Sequence, residues 1–208
     1  MGNSMAYPIF RSSSATDAYA LAQRLRALMS WSRPTVRLAA ELQTAEDVRR
    51  MVNVLPNAPY EAEGVSFDPE RWSHECRADA LPTTSGELEA LLPIFVDADV
   101  PADGVEQSFV RALGTGPATI DWRGVWPDAP ELGLLANSTY EGVQAVFNTD
   151  DVDWERPAGD HTVFVYMTKF GNLPRAQWLA GQVGAPVLGA RRSDGERNGQ
   201  GRQGVRLK

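Results

Sequence analysis

Two histidines and one cysteine limit the chemistry open to this 208-residue chain. His74 and Cys76 stand two apart in Trp72-Ser73-His74-Glu75-Cys76. An extended backbone would turn both to one side, where imidazole and thiol can serve as base and nucleophile. No characteristic motif surrounds the pair, and its polar setting reads more simply as a loop. His161 follows Asp160 at the head of the apolar run Thr162–Met167. That placement suits a catalytic strand-end histidine or a plain strand cap. Neither a His-Glu-x-x-His segment nor paired Cys-x-x-Cys motifs occur, so the sequence offers no recognised zinc site.

The densest acidic run is Asp150-Asp151-Val152-Asp153-Trp154-Glu155. If extended, it sets Asp151, Asp153 and Glu155 on one face, where three carboxylates could hold Mg²⁺ or Ca²⁺. The turn glycine of a calcium-binding helix-loop-helix is missing, and a solvated loop or an acidic contact surface fits the run better. Gly114-Thr115-Gly116 reads as a turn, because the Gly-Lys-Ser/Thr ending of a phosphate-binding loop is absent. Asp121-Trp122-Arg123-Gly124-Val125-Trp126 offers two tryptophans, one for the core and one, Trp126, as an exposed anchor for a partner.

These residues must be positioned by a mixture of helices and strands. Ala6–Phe10 reads as a short edge strand. Ser14 with Asp17 resembles a capping box, and Ala18, Leu21, Ala22, Leu25, Leu28 and Met29 recur at helical spacing. Together they predict a helix over 15–30. Thr35–Leu42 is ambiguous: Val36 and Leu38 alternate with Arg37 as in a strand, while Ala39-Ala40-Glu41-Leu42 would also tolerate helix. Thr44 with Asp47 caps a second helix, with Val48, Met51, Val52 and Leu55 as its buried stripe and Pro56 as its stop. Residues 56–86 read as a long irregular connection with one helical turn near 69–75. The run Leu88–Val96 is helix, strand or one after the other, and Asp97–Asp103 is a turn. Short runs at Ser108–Leu113, Ala118–Trp122, Leu132–Ala136, Val143–Phe147 and Thr162–Met167, separated by turn residues, predict an antiparallel meander. A last helix begins near Leu173-Pro174 and ends at Gly184.

The expected fold is therefore α+β: a mainly antiparallel sheet with two N-terminal amphipathic helices and one C-terminal helix packed on it. Residues 1–190 are expected to form one domain. Residues 191–208, with six basic and two acidic side chains, form a Gly/Arg-rich tail or hairpin.

The net charge of −7 disfavours a free-standing nucleic-acid binder and favours a basic partner. A lone cysteine suits a reducing cytosol. No basic segment followed by an apolar run marks a secretory signal, and no stretch approaches the ~18 apolar residues of a membrane span. Arginine supplies all but two of the 20 positive side chains, a bias that fits a GC-rich bacterial or phage genome. In layout, with a short N-terminal strand, an amphipathic helix, an acidic surface and scattered tryptophans, the chain resembles the small α+β immunity proteins of bacterial toxin systems. The resemblance implies a cytoplasmic, non-enzymatic inhibitor that binds a basic protein, with no cofactor and no metal. The contact residues expected are Asp150, Asp151, Asp153, Trp154, Glu155 and Trp126. The alternatives are a hydrolase-like enzyme using His161, Asp160 and the 150–155 carboxylates, and a phage or assembly component.

Overall fold

The computed structural model describes residues 5–62, 75–78, 81–136, 141–167, 173–189 and 192–193. Of residues 75–77 and 192–193 it describes the backbone alone. The elements run β1 (Met5–Ser12), α1 (Ala15–Arg26), β2 (Trp31–Ser32), β3 (Thr35–Leu42), α2 (Ala45–Val54), β4 (Pro59–Ala62), β5 (Glu75–Arg77), α3 (Ser85–Glu89), β6 (Ile94–Pro101), α4 (Glu106–Ala112), β7 (Ala118–Val125), β8 (Glu141–Phe147), β9 (His161–Met167), α5 (Leu173–Gln182) and β10 (Arg192–Ser193).

The first helices start where side chains satisfy their free N–H groups. Ser14 accepts from the Asp17 N–H at 3.2 Å. At α2 the reciprocal box is complete: Asp47 N–H donates to Thr44 Oγ1 at 3.1 Å, and Thr44 N–H donates to Asp47 Oδ2 at 3.0 Å. At the other end of the chain, α5 gives way to Gly184 at φ 68°, in the left-handed region glycine enters without strain.

Ten strands form one sheet in the order β10-β1-β9-β8-β7-β3-β6-β4-β5, with β2 also paired to β7. Every pairing is antiparallel. Alternate residues point to one face, and there the helices bury their stripes. Leu38, Ile94, Ile120, Val143, Phe147, Val163 and Val165 meet Leu21, Leu25, Val48, Met51, Phe109 and Leu179 in one core. The other face carries a smaller cluster of Ala6, Val146, Phe164 and Tyr166, closed by Val152 from the loop after β8. On β8 and β9 every residue is therefore buried. Beyond them the second face turns polar. Tyr166 donates to Gln144, Gln144 donates to Thr119 at 2.9 Å, and the Arg123 guanidinium lies 4.8 Å from the centre of the Tyr166 ring.

The mixed composition and mainly antiparallel sheet follow the sequence expectation, but several elements differ. Among the described residues five α-helices form instead of three. Ser108–Leu113, expected as strand, lies largely in α4, because Phe109 and Ala112 sit three apart and face the core together. β1 is no edge strand: β9 pairs with one side and β10 with the other. Asp97 continues a strand that runs to Pro101, and Leu132–Ala136 holds only a 3₁₀ turn over Pro130–Leu132 and one isolated bridge. The connection 56–86 contains strands β4 and β5, while the helical turn expected over 69–75 falls mainly outside the described residues. Helix α1 stops at Arg26, four residues early. None of the helices described is long and apolar enough to cross a membrane.

Leu25 is fully buried between α1 and the sheet, whereas Leu132 is 40% exposed. Leu25→Ala is expected to cost about 3 kcal/mol by leaving a cavity, and Leu132→Ala to change stability by less than ~1 kcal/mol. Urea unfolding of both variants checks the order.

Candidate functional site

The acidic run lies in the loop 148–160, which joins β8 to β9. Its entry is Asn148, at φ 57°, whose side-chain amide donates to the carbonyls of Gly114 at 2.9 Å and Gly116 at 2.8 Å. Glycine is required at both positions by close approach. A Cβ on Gly114 would collide with the Asp47 carboxylate, and one on Gly116 with the Glu41 carbonyl. A bridge between Thr149 and Pro157 closes the base of the loop. The Thr149 hydroxyl, fully buried, donates to the Arg156 carbonyl at 3.0 Å.

Asp151 organises the interior. It is 4% exposed, and its Oδ1 accepts from the Asp153 N–H at 2.9 Å and the Glu155 N–H at 3.2 Å. Its Oδ2 accepts from Arg156 Nε at 3.2 Å. Burial alone would raise the Asp151 carboxyl. The two backbone N–H groups and the Arg156 guanidinium outweigh that effect and hold it below the ordinary carboxylate value. Asp150 stands between two cations, Arg156 at 3.3 Å and Arg11 of β1 at 3.6 Å. Asp153 and Glu155 are exposed, and Trp154 between them is half-buried at φ 62°.

The expectation of an extended run with Asp151, Asp153 and Glu155 on one face is corrected by this turn. Asp151 points inward to bind the backbone N–H groups of the other two, while their own side chains face solvent. Among the described residues no group of three or more His, Cys, Asp or Glu side chains is placed to hold a metal ion.

His161 begins β9 at the same corner and is 8% exposed. Its Nδ1 accepts from the Asn148 N–H at 3.1 Å, and the Ser13 backbone lies beside the ring. The ring packs 5.6 Å from that of Phe147. Burial holds the imidazole below its ordinary value, partly opposed by Asp160. Nδ1 is thus committed to backbone, which leaves that nitrogen unavailable to take a substrate proton. His74 lies outside the described residues, and of Cys76 only the backbone is described.

Trp126, expected as an exposed anchor, is fully buried, as is Trp122 at 1% exposure. The Trp126 indole N–H donates to the Tyr166 carbonyl at 2.9 Å, and its backbone N–H donates to Glu141 Oε2 at 3.2 Å. A side chain with no exposed surface offers a partner nothing, so this contact assignment is corrected. Glu141 and Arg175, 2% and 4% exposed, complete the region. Arg175 donates to the Leu135 and Pro127 carbonyls, each at 2.9 Å, and so ties α5 to the segment after β7. Burial raises the Glu141 carboxyl, and the Arg175 charge and the Trp126 N–H counter it in part.

Among the described residues the exposed tryptophan is instead Trp31, at 54%, opposite Val125 at the end of β7. Sequence reasoning missed it because a two-residue strand before Pro34 leaves no alternation to read. The chain matches no family model, no curated protein and no solved structure.

Asp151→Ala is expected to cost roughly 2–3 kcal/mol, since it strips two backbone donors and Arg156 of their acceptor. Glu155→Gln should leave the melting temperature nearly unchanged. Because the Asp151 carboxyl is held below its unfolded value of 3.8, its charged form stabilises the fold above that pH. The stabilisation fades as pH falls further. Thermal melts of Asp151→Asn and wild type should therefore converge below about pH 4.

Proposed function

We propose that this chain is a non-enzymatic protein-binding module of the immunity or inhibitor kind, which captures a basic partner protein with its acidic β8–β9 loop. The observation that carries this reading is the fixed shape of the loop around the Asp151 carboxylate. A preformed surface loses little conformational freedom on binding. Asp153 and Glu155 then steer a basic partner, and half-buried Trp154 supplies the apolar contact between them. The net charge of −7 favours the same partner class. The reading places the protein in a reducing compartment such as the bacterial cytoplasm. Its contact set is Asp150, Asp153, Trp154 and Glu155. Asp151 acts beneath them, and Trp126 is left out.

The hydrolase-like alternative draws less support, because the imidazole it needs is buried and its Nδ1 is bonded to the Asn148 backbone. Self-assembly is favoured by one observation, the exposure of Trp31 at 54% and Leu135 at 74%. Concentration-dependent association measured by light scattering would support that second reading.

The leading reading is tested with the partner retrieved from a lysate of the native host. The bait is the wild type, compared with Asp153→Asn/Glu155→Gln and Trp154→Ala. A basic protein should be retained by the wild type. The double variant should bind it with slower association and weaker salt dependence. Trp154→Ala should lose roughly 2 kcal/mol through faster dissociation. Equal binding by all three proteins would remove the loop from the interface.

A further inference from the structure

We propose that His161 is a pH-sensitive latch, whose protonation releases the β8–β9 loop from the body of the protein. The geometry is specific. Neutral His161 accepts a hydrogen bond from the Asn148 N–H at 3.1 Å through Nδ1, and the Ser13 backbone lies beside the ring. The ring therefore joins the first residue of the loop to the turn between β1 and α1. The Asn148 side chain extends the junction to the carbonyls of Gly114 and Gly116. Four separate stretches of chain meet at this one corner.

A proton on Nδ1 converts the acceptor into a donor facing the donor of Asn148. Two N–H groups then oppose each other in a site with 8% exposure, and neither has another partner in place. The bond breaks and Asn148 loses its anchor on β9. The charged groups near the corner are Asp160, next in the chain; Asp17, in the first turn of α1; Asp150, held by Arg11 and Arg156; and Asp47 behind Gly114, held by Arg50. Of these, Asp160 alone acts on the imidazole, and burial outweighs it.

The sign follows from linkage. In the closed loop burial holds the imidazole below its ordinary value, and exposure in an open loop removes that cause. The closed form is thus favoured above pH 6.5 and loses ground as pH falls toward the lower, closed value. Over that window opening takes up at most one proton, so the open population grows by at most about tenfold per pH unit. Below the closed value the effect levels off. The latch itself does not require the binding reading; its consequence, a binding surface dismantled in mild acid, rests on it.

The test uses the protein alone. Amide hydrogen exchange of residues 149–156, corrected for intrinsic chemistry, is followed from pH 7.5 to 5 by NMR alongside the His161 imidazole resonances. Loop opening should rise as pH falls below the ordinary imidazole value, by at most about tenfold per pH unit, and level off where the His161 resonances titrate, while the amides of β7 stay protected. His161→Gln, which keeps a donor and an acceptor but does not titrate here, should show a flat profile. The proposal is overturned if loop opening in the wild type is independent of pH, if it does not follow His161, or if His161→Gln keeps the wild-type response. Should that variant fail to fold, the coincidence of the two wild-type profiles decides alone.

Discussion

Burial of β8 and β9 on both faces is the constraint from which the rest of the molecule follows. All seven residues of each strand are buried, so a polar group left without a partner there is costly. Glu141 accepts from Trp126, Gln144 lies between Tyr166 and Thr119, and His161 accepts from Asn148, whereas the buried Thr162 hydroxyl has no hydrogen-bond partner among the described residues. The bonded side chains are committed to the fold. They specify which strands lie next to one another and in what register. The helices on one face and Val152 with its cluster on the other supply the apolar cover that makes the arrangement favourable.

The same constraint decides how the connection between the two strands behaves. A loop leaving a doubly buried pair must begin and end at fixed points, here Asn148 and His161, which are bonded to each other. Inside, Asp151 replaces the missing ladder with three hydrogen bonds of its own. The exposed acids therefore sit on a small scaffold instead of a free chain. Preorganisation of this kind is what separates a recognition loop from a mere linker.

Much of the scaffold was legible because its signals are local. Ser14 with Asp17 and Thr44 with Asp47 mark helix starts within four residues of chain, and the Leu21–Leu25 and Val48–Met51 stripes need only helical periodicity. Thr162–Met167 is apolar on both faces and could only be interior. The misread parts depend on distant partners. Ser108–Leu113 is too short for its pattern to separate helix from strand. Trp126 is buried because its indole reaches the Tyr166 carbonyl, 40 residues on. Asp151 looked like one exposed acid among several, and its inward turn depends on the backbone N–H groups of residues that follow it. The Arg175 hydrogen bonds to the Leu135 and Pro127 carbonyls join α5 to the segment after β7, and those residues carry no common sequence signal.

The central claim is that the acidic loop is held as firmly as the strands it connects. Backbone ¹⁵N relaxation at pH 7.5 measures this directly. The account predicts order parameters for residues 149–156 near the ~0.85 of rigid backbone, matching those of β8 and β9. Values below about 0.6 across that stretch would contradict it, because Asp151 would then not be organising the loop.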